Sequence, residues 1–250
     1  MATPSSLISA ESTNALENAR QRLIVALDAP SAAEALTLVD QLEGTCLWVK
    51  VGLELFIAAG PAIVETLTAR GHSVFLDLKL HDIPNTVAGA VRSASALGAK
   101  LLTVHASGGP AMLTSAQEAL AAVTNPPQLL AVTVLTSMDQ AQVTAVGVTC
   151  QPSEQVGLLA RMGIASGIRG FVCSPQEVAA LRTLSGPNGV LVIPGIRPAG
   201  SERGDQQRIA TPAQALRDGA SFLVVGRPIT LATEPARAAE AILREMADAI

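Results

Sequence analysis

Phe75-Leu76-Asp77-Leu78-Lys79-Leu80-His81-Asp82-Ile83-Pro84-Asn85-Thr86 sets two carboxylates and an ammonium into an apolar run. The run reads as a buried strand over Ser73–Leu80. Side chains alternate along a strand, so Asp77 and Lys79 point one way while Leu76, Leu78 and Leu80 point the other. Pro84 breaks the strand and leaves Asp82 on the turn beyond it. Val87–Leu97 then reads as a helix, stopped by Gly98. An unpaired charge is costly to bury, so the charges in this run need partners. Two readings fit the local pattern: a structural ion pair at a strand end, or an active site.

The same strand-then-helix unit recurs on both sides of this stretch. Arg22–Asp28 is the first apolar run, followed by a helix capped by Ser31 and reaching Leu42. Cys46–Gly52 is the second, with a helical stretch to Ala69 that Pro61 interrupts. After Ser73–Leu80 come Leu101–Ala106 with helix Ala111–Val123, and Leu129–Leu135 with helix Ser153–Ala165. Gly170–Cys173 is paired with Pro175–Leu184, Val190–Ile193 with Thr211–Arg217, and Ser221–Val225 with Glu234–Ala249. Eight such units within roughly 230 residues predict an α/β chain folded as a single (β/α)8 TIM barrel. The barrel is expected to span residues 21–250, after an N-terminal extension over residues 1–20. The competing architecture is an open doubly wound sheet. Its usual GxGxxG after the first strand is absent, and Asp28-Ala29-Pro30-Ser31 stands there instead.

A barrel of this kind places its active site at the C-terminal ends of the strands. Polar residues gather there: Asp28 at the end of the first strand, Lys50 near the end of the second, Asp77 and Lys79 in the third. His105 and Ser107 end the fourth, Thr136 and Ser137 follow the fifth, and Arg197 and Arg227 follow the seventh and eighth. This convergence moves the Asp77–Lys79–Asp82 array from ion pair toward active site. Barrels often bind phosphate through the loops after strands seven and eight. Those loops are Pro194-Gly195-Ile196-Arg197 and Val225-Gly226-Arg227-Pro228. Glycine lets a backbone approach phosphate closely and arginine offers it a fork of donors. The polar segment from Pro198 to Gln207 reads as a mobile lid.

Composition narrows the function. The 250 residues are 49% hydrophobic and 15% charged, with one Trp, four Phe and no Tyr, so the core must be aliphatic. A net charge of −4 without a basic run, and few rings to stack on bases, argues against polymeric nucleic acid as a partner. Met1 to Asn18 lacks the basic start and apolar block of a secretory signal. No stretch approaches the ~18 apolar residues of a membrane span. Cys46, Cys150 and Cys173 lack metal-binding spacing and read as reduced thiols of a cytoplasmic protein. Among the histidines, His72 is expected to face solvent and His81 to be packing or surface. His105 is open between supporting the site and no role, and Trp48 is expected in the core.

The motifs together resemble the orotidine 5′-monophosphate decarboxylase family, of the bacterial type. The Asp-x-Lys-x-x-Asp-Ile/Val-x-x-Thr signature is matched by Asp77, Lys79, Asp82, Ile83 and Thr86. Further matches are Ala26-Leu27-Asp28, Val49-Lys50-Val51-Gly52, Leu135-Thr136-Ser137, Pro194-Gly195-Ile196-Arg197, Asp205-Gln206 and Val225-Gly226-Arg227. They keep the family's order from Asp28 to Arg227. The resemblance implies a carboxy-lyase that converts orotidine monophosphate to UMP and CO2, the last step of de novo pyrimidine synthesis, with no metal or organic cofactor. It also implies that Asp28 and Lys50 hold the ribose hydroxyls and Thr136 contacts the pyrimidine. Gln206 would span base and phosphate, and Arg197, Gly226 and Arg227 would bind the phosphate. Lys79 would be the proton donor beside Asp77. In the implied homodimer, Asp82 enters the partner's site, and Ile83 and Thr86 belong to the same substrate-binding signature. The competing readings are a sister barrel, a Mg2+-dependent sugar-phosphate decarboxylase or synthase sharing the Asp-Lys-Asp core, and a non-catalytic sensor of phosphorylated ligands.

Overall fold

The structure, a computed structural model, describes residues 13–198 and 208–250. Eight strands close into a parallel barrel in sequence order. They are β1 (Leu23–Ala26), β2 (Trp48–Gly52), β3 (Ser73–Leu80), β4 (Leu101–His105), β5 (Gln128–Val132), β6 (Gly170–Val172), β7 (Val190–Ile193) and β8 (Phe222–Val225). β1 pairs with both β2 and β8, which closes the ring. The (β/α)8 reading therefore holds, and the open sheet is excluded.

Alternation along the strands sorts the apolar residues into two cores. Ile24, Ala26, Phe75, Leu101, Leu130, Val192 and Val224 fill the barrel lumen. Their neighbours in sequence, such as Val25, Val49, Leu76, Leu102, Ala131 and Leu223, face outward and pack under the helices. At the lumen's N-terminal end Trp48 meets Phe222 edge-on, with ring centroids 4.9 Å apart. Trp48 is half-buried and packs against the lumen cluster, in line with its expected core role.

Most helices lie where their start signals put them. Ser31 caps Ala32–Gln41 by accepting from the Glu34 N–H at 3.2 Å. The helical stretch after β2 divides at Pro61 into Leu53–Ala59 and Ala62–Ala69. The helix after β3 begins at Pro84 rather than at Val87, because proline suits a first helical turn whose N–H groups lack helical partners. β5 ends at Val132, three residues before the expected Leu135. The apolar run continues because Val134 and Leu135 line a cavity, although no ladder pairs them. Residues 13–20 are helical, with Ala19 fully buried and Arg20 donating to the carbonyls of Gly44 and Thr45. Among the described residues, no helix is long and apolar enough to cross a membrane.

Candidate active site

The inward-facing parity that fills the lumen carries polar residues where the strands reach their C-terminal ends. Ile24 and Ala26 are followed in phase by Asp28, Trp48 by Lys50, Phe75 by Asp77, and Leu101 by Thr103 and His105. The result is a cavity of about 540 Å3 whose lining includes Asp28, Lys50, Asp77, Lys79, Thr136, Arg197, Gly226 and Arg227. Four cations against two carboxylates leave it with an excess of two positive charges, in a chain whose net charge is −4. Its floor is apolar, formed by Ala26, Phe75, Val132, Val172 and Val224. An anionic ligand with an apolar part fits such a site.

Along one wall the charges alternate in sign. Lys50 Nζ donates to Asp28 Oδ1 at 3.0 Å and lies 3.8 Å from Asp77 Oδ2. Lys79 Nζ donates to the same Asp77 oxygen at 2.8 Å. Asp77 is 8% exposed, so its carboxylate is held between two ammoniums and largely out of water. Gly52 makes this possible, since a Cβ there would lie 2.7 Å from Lys50 Nζ.

Lys79 reaches its position by an irregularity. The β3–β4 register pairs Leu76 with Leu102 and next Leu80 with Val104, so residues 77–79 stand opposite Thr103 alone. Lys79 has φ of +51°, in the left-handed region that side-chain-bearing residues rarely occupy. Its N–H donates to Thr103 Oγ1 at 2.8 Å, and Thr103 in turn donates to Asp77 Oδ1 at 3.0 Å.

Across the cavity, Arg197 and Arg227 close the expected phosphate end. Arg197 is 8% exposed; burial, and next the Arg227 charge, lower its guanidinium pKa from the ordinary value. Two guanidiniums lining one cavity favour an anionic ligand there. Gly195, before Arg197, has φ of +76° and turns the chain as only glycine does easily.

Asp82, Ile83 and Thr86 are not among the residues lining this cavity. All three are exposed, and Asp82 accepts from the Ile83 N–H at 2.6 Å at the start of the Pro84–Ser95 helix. Gln206, with nearly all of the segment expected to form a lid, lies outside the described residues. His105 is half-buried, contacts Ser107 Oγ through Nδ1 at 3.1 Å and stacks on the exposed His81 at 5.5 Å. His72 departs from the solvent-facing expectation: it is half-buried, and burial lowers its pKa.

Three polar residues escaped the sequence reading. Thr103 could have been found, as a hydroxyl in phase with the inward face of β4. The others form a buried pair, Glu177 and Arg208. Glu177 also accepts from the Ser174 hydroxyl and N–H, while Arg208 donates to the Leu135 carbonyl at 3.0 Å, next to Thr136. Ser174-x-x-Glu177 has capping-box spacing, but nothing local in the sequence connects it to Arg208. Cys46 and Cys173 are buried, and burial pushes the Cys46 thiol up to about 12. Among the described residues, no group of three or more His, Cys, Asp or Glu is arranged to hold a metal ion.

Comparison with known proteins agrees with this geometry. The chain is 51% identical over 235 residues to the orotidine 5′-phosphate decarboxylase of Moorella thermoacetica, covering 92% of this chain and 93% of that protein. It is 54% identical over 228 residues to the one from Halorhodospira halophila, covering 91% and 97%. The crystal structure of orotidine 5′-phosphate decarboxylase from Lactobacillus acidophilus superposes with a TM-score of 0.79 at 41% identity, covering 90% of this chain and 99% of that one. Residues 21–242 match the model of one family over nearly the whole barrel, and the chain belongs to it: the orotidine 5′-phosphate decarboxylase / HUMPS family.

Proposed function

We propose that this protein is an orotidine 5′-monophosphate decarboxylase, releasing CO2 from orotidine 5′-monophosphate to leave UMP in pyrimidine biosynthesis. The observation that carries this reading is the Lys79 ammonium, bonded to Asp77 at 2.8 Å in a cavity with two arginines at its other end. In the reaction the bond from C6 to the carboxylate breaks, the electron pair stays on C6, and CO2 leaves. A fixed ammonium beside C6 stabilises that charge as it forms and then gives its proton to the carbon. Lys79 is left as an amine and regains a proton from water. This chemistry needs no electron sink beyond the ring and the ammonium.

The remaining side chains take the roles that likeness to the family implies. Asp28 and Lys50 hold the ribose hydroxyls, Thr136 contacts the pyrimidine, and Gln206 spans base and phosphate. Arg197, Gly226 and Arg227 grip the phosphate. Asp77 stands where the substrate carboxylate arrives. Two like charges about 4 Å apart at an effective dielectric near 20 repel by roughly 4 kcal/mol, and the repulsion disappears as CO2 departs. Stabilisation by Lys79 ranks first, because ground-state repulsion acts only to the extent that the bound carboxylate cannot move away. Phosphate binding far from C6 contributes to rate as well as affinity if it fixes the ring over Lys79.

We place the enzyme in the cytoplasm as a homodimer with shared sites. The exposure of Asp82, Ile83 and Thr86, outside their own chain's cavity, supports their entering the partner's site. A Mg2+-dependent sugar-phosphate barrel is less well supported. Asp77, the buried carboxylate such a metal would use, already faces ammoniums at 2.8 and 3.8 Å. The deciding experiment follows the loss of orotidine monophosphate absorbance on adding protein in EDTA, with Lys79→Ala as the control. Turnover by wild type and none by a folded Lys79→Ala protein is expected. No turnover by wild type, or turnover that needs added Mg2+, would overturn the assignment.

A further inference from the structure

We infer that Thr103 is a positioning residue for this reaction, acting through Asp77 and Lys79. The inference rests on the decarboxylase reading and adds to it a residue in contact with neither substrate nor reacting atoms. Thr103 is fully buried, on β4, beside the point where the β3 register slips. A hydroxyl has one proton to give. Here that proton goes to Asp77 Oδ1 at 3.0 Å, so the oxygen lone pair is what receives the Lys79 N–H at 2.8 Å. Both bonds of the hydroxyl are thereby directed, and neither has an alternative in water.

Each bond fixes one half of the catalytic pair. With Oδ1 held by Thr103, the Asp77 carboxylate presents Oδ2 to Lys79 at 2.8 Å and to Lys50 at 3.8 Å. The Lys79 backbone sits at φ +51° with its N–H turned away from a regular ladder, a conformation that persists only when its surroundings enforce it. The Thr103 oxygen supplies the acceptor that the interrupted ladder does not. Remove it, and Lys79 has both an orphaned N–H and reason to relax toward an ordinary strand conformation. The ammonium is carried on that backbone, so its distance from C6 changes with it.

Valine has nearly the shape of threonine and can make neither bond. Thr103→Val is expected to lower kcat by about 10- to 100-fold, the usual consequence of a buried partner lost from a charged group and a reacting centre displaced by about 1 Å. UMP binds through groups at the ribose, base and phosphate, so its affinity should stay within about threefold of wild type. Thr103→Ser restores both bonds and should keep kcat within about threefold of wild type. A purely structural threonine would behave differently: Thr103→Val would melt earlier while its folded fraction kept wild-type kcat. If Thr103→Val does not fold, Thr103→Cys, close in size but a weak donor and acceptor, is read by the same criteria. A folded Val or Cys variant with wild-type kcat, or parallel losses in kcat and UMP affinity, overturns the inference. So does failure of Thr103→Ser to rescue. The wild-type control separates the two levels: absent turnover there removes the decarboxylase reading, whereas an active wild type with an equally active Thr103→Val removes only the role of Thr103.

Discussion

Replacing Gly52 with alanine should damage activity while leaving the fold nearly untouched. Gly52 has φ −94° and ψ −175°, extended backbone that alanine adopts without strain. The difficulty is space. The new Cβ would lie 2.7 Å from Lys50 Nζ and 3.4 Å from Asp28 Oδ1. Carbon and nitrogen in van der Waals contact sit about 3.5 Å apart, so the ammonium must retreat by roughly 0.8 Å. That retreat is enough to break its 3.0 Å hydrogen bond to Asp28 and to change its 3.8 Å ion-pair contact with Asp77. The Asp28 side chain is 59% exposed, and an exposed pair of this kind is worth about 0–1 kcal/mol to stability. Alanine also restricts the unfolded chain, which returns about 0.4–1 kcal/mol. Net stability should therefore change by less than about 1 kcal/mol in urea denaturation. Catalysis has no such compensation, because a displacement near 1 Å of a substrate-positioning group costs about 10- to 100-fold in kcat/KM. The assay is orotidine monophosphate turnover beside a urea melt of the same preparation. Wild-type kcat/KM would refute the spatial argument. A loss of more than about 3 kcal/mol in stability would show that the backbone, and not the space around Lys50, requires glycine.

Two further outcomes are expected. Equal amounts of Lys79→Ala and Asp82→Ala proteins, each nearly inactive, should recover about a quarter of wild-type activity after subunit exchange, since half of the dimers are mixed and each then has one intact site of two; no recovery, with exchange confirmed by mass, would place Asp82 in its own chain's site. Burial lowers the pKa of His72 and, ahead of the His81 and Lys79 charges, that of His105. For such groups the unfolded chain binds more protons as pH falls, so stability is full above about pH 6.5 and declines below it. His72→Gln should flatten this decline between about pH 7.5 and 5.5 in urea melts, and an unchanged slope would contradict it.

The barrel was legible because its evidence is repetitive: apolar runs of strand length, each followed by a helical pattern with its own cap or stop. Parity was as informative as hydrophobicity. It put Asp77 and Lys79 on one face, and the structure bonds them to each other. The route to that contact was not legible. The bulge that turns Lys79 to φ +51° depends on the register of β4, and register is a relation between strands that neither strand's sequence contains alone. The same limit hid the Glu177–Arg208 pair, which joins residues 31 positions apart. Pro84 marks the end of a strand in the sequence and is equally the start of a helix; the residue reports a change of element and not which side of the change it belongs to. At β5 the apolar run overshot because burial against a cavity and burial within a sheet leave the same mark on a sequence.

The edge-on contact of Trp48 with Phe222 gives the protein an unusual optical property. Trp48 is its only tryptophan, and it contains no tyrosine. Intrinsic fluorescence therefore originates from one point, the end of the lumen opposite the cavity. Emission should follow the opening of the barrel's base and stay silent to events at the mouth. The few ultraviolet chromophores also leave the near-ultraviolet window almost clear, so a pyrimidine entering the cavity can be watched by its own absorbance. The two ends of the barrel can be monitored independently, in one cuvette, without adding a label.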